Sequence, residues 1–491
     1  MEQLTQLSSW VNLKKHAEVM RFTEINNLKN SISRNNLLTL SSNKIQVNFS
    51  NQLVDETTID LLISLALERN LPQKIKALIN GEIVNLSEYR PALHTAIRVL
   101  DDTPIIVDGH NVIPDIIAAR QRMKEISEQI RSGQWLGFSG KPITDVVNIG
   151  IGGSDLGPRL CIKALSYLTA KHLKYHFISD MDPYAFTNVV AQLNPETTLF
   201  IVSSKSFTTK ETLYNAKKAL KWLDSPEHVD KHFIAVTANI DKANAFGIKQ
   251  VLPIWDWVGG RFSLCSAINL ITAIAIGYEN FYDLLVGANS MDKHFHNEDF
   301  ASNIPVLLAL ISIWNNNFLD IHNLLILVYS QQLEYIVPYL QQLDMESNGK
   351  SLDNFGRRVN YATGPILWGG LGNQAQHSYY QLLCQGTHQV SIDFLTIEQF
   401  KDEPIHQMFE AKRMVLTKGI HESNHPSEEI MGNKPLNHIQ LADCTPFSLG
   451  QLIALYEHKI YVQAVIWDIN PFDQPGVESA KKISNSYLAF V

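Results

Sequence analysis

From Asp145 onward, short β-branched and largely apolar runs alternate with helical patterns, and that alternation limits the possible folds more than any other feature of the sequence. The runs are Val146-Val147-Asn148-Ile149, Tyr175-His176-Phe177-Ile178, Thr198 to Val202 and Phe233 to Val236. Strands apolar on both sides have to be covered on both sides, which is the condition of a parallel sheet between helical layers. Residues 140–280 therefore predict a doubly wound α/β domain.

The alternation returns after residue 300. Residues 323–329 (NLLILVY) read as a strand, followed by a helix through Leu343. Further strands are expected over 364–368 and 390–395, with a helix over 376–385 between them. This second α/β unit reads as a divergent copy of the first. The 140 residues before the first run read mostly as helices. Ile59, Leu62, Ile63 and Ala66 form one stripe at helical spacing. A second helix over 111–132 carries Arg120, Arg122, Lys124 and Glu125 on its expected outer face. Residues 423–437, rich in Ser, Asn, Pro, Glu and Gly, read as a surface excursion. Residues 471–491 read as a short helix and tail entered by a turn at Pro475-Gly476.

Charge and cysteine usage exclude several classes. The sum 41 − 49 = −8 argues against binding a nucleic-acid backbone, which wants a basic face. Four cysteines (Cys161, Cys265, Cys384, Cys444) form no CxxC pair, so a disulfide scaffold or structural zinc is not expected, and a reducing compartment is. The opening MEQLT predicts no secretory leader, and the apolar run 304–314 contains Pro305 and is shorter than the ~20 residues a bilayer requires. The expectation is a cytoplasmic protein that is not associated with membrane.

Several motifs follow these strands. Gly150-Ile151-Gly152-Gly153-Ser154-Asp155-Leu156-Gly157 follows the first strand and opens a helix, where small residues let backbone N–H groups approach an anion. Asp155 stands where a GxGxxG dinucleotide fingerprint needs Gly, and no Walker Gly-Lys-Ser/Thr is present. Taken alone, the loop is equally a tight βα turn. Ser203-Ser204-Lys205-Ser206-Phe207-Thr208-Thr209 supplies hydroxyls and an ammonium at a helix start, more than a helix cap needs. Arg261, after Gly259-Gly260, offers a fixed positive charge for an anion or a developing oxyanion, or is an ordinary loop arginine. Glu346 suits a general base and His377 suits proton transfer, although each also reads as an ordinary solvated or structural side chain. Glu478 and Lys481 most simply form a surface pair. His421-Glu422-Ser423-Asn424-His425 matches HExxH literally, but Gly419 before it and Pro426 after it oppose the required helix. His294-Phe295-His296 reads as a solvated pair.

Six segments in order carry a resemblance: VVNIGIGGSDLGP (146–158), SSKSFTTKET (203–212), WDWVGGRFSL (255–264), DMESNGKSLD (344–353), AQHSYYQLLCQGTH (375–388) and YEHKIYVQAVIWDINPFDQPGVESAK (456–481). Together they resemble the phosphoglucose isomerase (glucose-6-phosphate isomerase) family. The resemblance implies two sugar-isomerase α/β/α sandwich domains with mainly parallel sheets, divided as an N-terminal helical region over 1–110 packing on the second domain, a first domain over 111–285, and a second over 286–491 with a C-terminal helix. By the same resemblance, Ser204, Lys205, Ser206 and Thr209 would hold a substrate phosphate, Gly153 and Ser154 would line the sugar site, and Gln342 would touch the substrate. Glu346 would move a proton between carbons 1 and 2, Arg261 would steady an enediolate, and His377 and Lys481 would serve ring opening. It implies a homodimer with His377 contributed across the interface, and a reaction needing neither metal nor organic cofactor. One departure is the stretch Gly369-Gly370-Leu371-Gly372-Asn373-Gln374-Ala375 before His377, where many relatives carry a GEPGTNG-like sequence. A second is Ser206, where Thr is common. A regulatory sugar-phosphate binder would need no base, and a dinucleotide oxidoreductase lacks its fingerprint at Asp155.

Overall fold

The computed structural model describes residues 3–422 and 425–487, with side chains through residue 483. The strands are β1 (Thr39–Ser42), β2 (Ile45–Asn48), the short ladder β3 (Ile106–Val107) and β4 (His110–Asn111), β5 (Asp145–Ile149), β6 (Lys174–Ile178), β7 (Thr198–Ser203), β8 (Phe233–Thr237), β9 (Gln250–Pro253), β10 (Asn323–Val328), β11 (Ile366–Leu371), β12 (Ser391–Ile397) and β13 (Leu436–Leu441). The first sheet runs β6-β5-β7-β8-β9 and is parallel throughout. The second runs β1-β2-β13-β12-β10-β11, parallel except where the β1–β2 hairpin adds antiparallel to β13.

Strand periodicity sorts each sheet's side chains into two cores. Val146, Leu199, Ile201, Ile234 and Val236 face a large core shared with Leu324, Ile326 and Val328 of the second sheet. Their alternates Val147, Ile149, Phe200, Val202 and Phe233 pack outward under the Lys210–Leu223 helix through Ala216, Ala219 and Leu223. Leu325, Leu327, Ile392 and Phe394 do the same beneath Phe409 and Leu416. Each large apolar side chain so buried contributes about 1.5–3 kcal/mol. Through the shared core runs the Pro446–Trp467 helix, buried on nearly every side. Four consecutive residues of that helix meet buried polar partners: Tyr456 donates to Asp393 (3.0 Å), Glu457 accepts from Arg98, His458 meets Asp292 (2.6 Å) and Lys459 pairs with Asp344 (2.9 Å).

Several expectations are corrected. The N-terminal region is not only helical, because its β1–β2 hairpin completes the second sheet. β11 extends through Gly369-Gly370-Leu371, past the expected end at Trp368. Glycine is a poor strand former, but pairing of Gly369 with Ile326 and Gly370 with Leu327 overrides that preference. The helix expected over 376–385 is split into Gly372–Ala375 and Tyr380–Gln385 with a turn between them. The helix after β10 is likewise broken, into a 3₁₀ turn at Gln331–Leu333, an α-helix at Ile336–Gln341 and a π turn at Gln342–Glu346. β13 starts inside the expected excursion, and Ser423 and Asn424 lie outside the described residues. The last helix begins at Pro475 itself. Arg120 turns inward to donate to the carbonyls of Ile97 (2.9 Å) and Val99 (2.7 Å). His294 is not solvated: its Nε2 accepts from Ile304 N (3.0 Å) at the start of the next helix, and burial lowers its pKa.

Candidate active site

At the C-terminal ends of β5 and β7 the chain leaves in opposite directions, since β6 lies on one side of β5 and β7 on the other. Such a switch point opens a crevice between the two following loops. The loop after β5 comes very near two other segments. A Cβ on Gly153 would stand 2.0 Å from the Gly260 carbonyl, and one on Gly152 would stand 2.8 Å from Gln342 Nε2. Any larger residue at 153 would force the Gly259–Phe262 turn away, so this glycine sets how closely the loop approaches Arg261 and the helix end bearing Gln342.

After β7, Thr209 occupies the N-cap position of the Lys210–Leu223 helix without capping it by its side chain. Its hydroxyl instead accepts from Ser204 Oγ (3.2 Å), while the exposed Ser206 and Thr208 bond each other (2.7 Å). Thr209 therefore stands at the cap position without serving as a side-chain cap. Lys205 donates to the carbonyls of Asp256 and Val258, both at 3.1 Å, which ties this loop to the segment leading into Arg261. Burial lowers the Lys205 pKa, with Arg90 adding to the effect and Asp256 and Glu88 opposing it. Ser154 is half-buried, and its carbonyl accepts from Asn148 Nδ2 (2.8 Å).

Arg261 is buried, with every arm of its guanidinium engaged. Nε donates to Ser347 Oγ (2.6 Å), Nη1 to Gln474 Oε1 (3.0 Å), and Nη2 to the carbonyls of Pro471 and Asp473 (3.0 Å for the latter). Nη1 also lies 3.3 Å from Glu346 Oε2. Burial lowers the arginine's pKa, and Glu346 and Asp473 oppose that shift. Glu346 remains partly open, with 23% of its side chain exposed, and accepts from Gln342 Nε2 (3.1 Å). Gln342 and Glu346 begin and end the π turn, and Asp344 in its middle is anchored below by Lys459. A single π turn within an α-helical run is a recurring feature of functional sites. The result is a half-open carboxylate beside a rigid cation and a carboxamide, next to a hydroxyl- and ammonium-bearing loop.

Gly153, Ser154, Ser204, Lys205, Ser206, Thr209, Arg261, Gln342 and Glu346 thus lie on four adjoining segments. His377 is exposed in the turn between Gly372–Ala375 and Tyr380–Gln385, its backbone N–H bonded to the Gln374 carbonyl (3.0 Å). Lys481 is also exposed and pairs with Glu478 (3.0 Å), as its spacing predicted. Asp155, the residue that breaks the dinucleotide fingerprint, is buried and paired with Arg159 (2.8 Å). His421 and His425 lie outside any α-helix, so the HExxH match lacks its required geometry. Residue-level reading missed Gln474 and Lys350. Both lie in segments that carry the resemblance, FDQPGVESAK and DMESNGKSLD, but no local pattern sets them apart from their polar neighbours.

A family model described as phosphoglucose isomerase matches residues 48–489. A glucose-6-phosphate isomerase of Legionella pneumophila (strain Lens) is 59% identical over 482 residues, covering 98% of this chain and 97% of that protein. One from Psychrobacter cryohalolentis is 45% identical over 487 residues, covering 92% of this chain and 88% of that protein. Among solved structures, a glucose-6-phosphate isomerase from Chlamydia trachomatis superposes with a TM-score of 0.91 at 29% identity, covering 99% of this chain and 96% of that one.

Proposed function

The chain belongs to the phosphoglucose isomerase family, and from that premise we propose how its cleft performs the family's reaction. That reaction is the reversible aldose–ketose isomerisation of D-glucose 6-phosphate and D-fructose 6-phosphate, a step of glycolysis and gluconeogenesis. The observation that carries the mechanism is the Glu346 carboxylate 3.3 Å from an Arg261 guanidinium that four neighbouring groups hold in place.

Ser204, Lys205, Ser206 and Thr209 receive the phosphate, which lies away from the reacting carbons and serves to place them. Gly153, Ser154 and Gln342 line the sugar. His377 and Lys481 open the pyranose ring. Glu346 then takes the proton from carbon 2 of the aldose and returns it to carbon 1 while the hydroxyl proton passes from O2 to O1, giving the ketose, and the reverse direction retraces the path. Arg261 faces the oxygen that gains charge in the cis-enediolate. Its donors are held by neighbouring protein groups, so it acts as a fixed positive charge and little reorganisation is needed as the oxyanion forms. No step calls for a metal or redox group.

Ring opening places the exposed His377 of one chain in the site of a second copy, which makes the working unit a homodimer. The chain divides at 110 and 285 into the helical region and two sugar-isomerase domains. Four free cysteines, three of them buried, favour the reducing cytoplasm. No helix among the described residues is long and apolar enough to cross a membrane.

The test is incubation with fructose 6-phosphate in deuterated water, following glucose 6-phosphate and deuterium at its carbon 2 by NMR. Labelled product is expected. Unlabelled product would replace the exchangeable enediol route by a hydride shift or a sealed proton return. Absence of product with phosphate binding intact would leave a sugar-phosphate binder.

A further inference from the structure

Lys350 stands four residues beyond Glu346, and the steps above do not use it. Its Nζ donates to the carbonyls of Glu346 (3.2 Å), Ser347 (2.9 Å), Asn470 (2.8 Å) and Asp473 (2.9 Å), and lies 3.2 Å from Asp473 Oδ1. The side chain is only 12% exposed. A mere surface lysine would not spend its whole hydrogen-bonding capacity on two backbone segments in this way. The same 470–474 segment supplies the Pro471 carbonyl, the Asp473 carbonyl and Gln474 Oε1 to Arg261. It is therefore held between two cations. One faces the Glu346 carboxylate and the other is bonded to the Glu346 backbone.

We propose that Lys350 is a positioning residue for the isomerisation, fixing the 470–474 segment against the backbone of Glu346 and thereby setting Arg261 and Gln474 relative to the carboxylate. The role rests on the reading of Glu346 as the base. It reaches further along the chain as well, because the 470–474 segment runs directly into the Pro475–Tyr487 helix that carries Lys481. Displacements of about 1 Å at such a constellation cost about a hundredfold in rate.

The charged groups facing Lys350 are Arg261 from the Gly260–Phe262 turn, Asp473 from the clamped segment and Glu346 from its own. Burial lowers the ammonium's pKa to about 8, Arg261 acts in the same direction, and Asp473 and Glu346 oppose them. As pH rises through that value the donor loses its charge and the clamp weakens.

The experiment measures kcat and KM for fructose 6-phosphate from pH 6 to 10, and inhibition by inorganic phosphate, for the full chain and the variants K350M, K350R and D473N. K350M is expected to lower kcat about thirtyfold or more while KM and the phosphate inhibition constant stay within about threefold. K350R keeps its charge across the range, so it should recover much of kcat and carry the alkaline decline above pH 9. D473N removes a group that raises the lysine's pKa, so its alkaline decline should begin at lower pH than in the unaltered chain. A K350M kcat within about threefold of the unaltered chain would overturn the proposal, as would a loss shared equally by phosphate binding. If K350M fails to fold, unchanged pH profiles in both K350R and D473N would overturn it. An unaltered chain with no isomerase activity would instead overturn the functional reading on which the proposal stands.

Discussion

At the switch point of the first sheet, Ser206 and Thr208 are exposed and bonded to each other, and Lys205 is the only cation of its loop. At the corresponding point of the second sheet, between β10 and β12, Ser330 accepts from the N–H of Gln332 (3.3 Å), and Tyr329 is buried beneath Gly372. The nearby Lys412 donates to the Gly372 carbonyl (3.0 Å), and Lys401 pairs with Glu398 (3.5 Å). A cleft of about 390 Å³ does open there, but Ser330, Gln331, Gln332, Asn373 and Gln374 give it an uncharged polar lining with no cation. Two sheets wound alike thus provide two crevices, and only one is fitted for an anion. The crevice comes from the winding; the chemistry comes from which hydroxyls and cations its loops carry.

The contrast implies that changes at the first switch point alter rate or affinity at little cost in stability, and changes at the second do the reverse. The largest effect is expected from Glu346→Gln, which should keep sugar-phosphate binding and lower turnover by roughly two to four decades. Near-normal turnover would place the base elsewhere. Arg261→Lys keeps the charge but cannot engage Ser347, Gln474, Pro471 and Asp473 together, and should reduce kcat about a hundredfold with KM little changed. A KM effect alone would make Arg261 a substrate-binding group. Lys205→Ala should raise KM by roughly tenfold or more, whereas Lys401→Ala, its counterpart across the molecule, should leave KM and kcat within about twofold. Equal effects of the two substitutions would erase the contrast.

The smallest effect is one of stability. His438 on β13 sits against Phe409 (ring centroids 4.5 Å apart) and bonds Thr396 Oγ1 (2.7 Å), and burial lowers its pKa to about 3. In the unfolded chain it takes up a proton near pH 6.5, so the unfolded state binds more protons between those values and stability falls as pH drops from 6.5 toward 3. Unfolding free energies from urea titrations at pH 7 and pH 5 should differ by about 1–2 kcal/mol more in the unaltered chain than in His438→Gln. Equal differences would assign the acid sensitivity to other groups.

What could be read from the sequence follows the same division. β5, β7 and β8 are buried on both faces, and their unbroken apolar runs are visible without neighbours. β1, β2 and β13 were missed because TLSS, IQVN and LNHIQL gain strand character only from pairing with one another. Glu346, Arg261 and the 203–209 loop were marked by residue type and position and given roles by resemblance, since a lone carboxylate or a lone arginine has no signature of its own. The π turn that aims Glu346 was out of reach, because nothing in QQLDMES distinguishes it from an ordinary helix end. The pairing of Lys350 with a segment 120 residues away was equally invisible, since it is made only by tertiary contact.

The π turn also makes the helix one residue longer than its path requires. An α-helix advances about 100° per residue, so deleting a single residue from Gln342–Glu346 would restore regular winding and turn the residues left in that stretch by up to about that angle. The carboxylate would then leave the arginine, and the buried Leu343 and Asp344 would have to repack, with no change in the strands of either sheet. With Glu346 as the proposed base, a deletion that repaired the count would yield a better helix and a poorer enzyme.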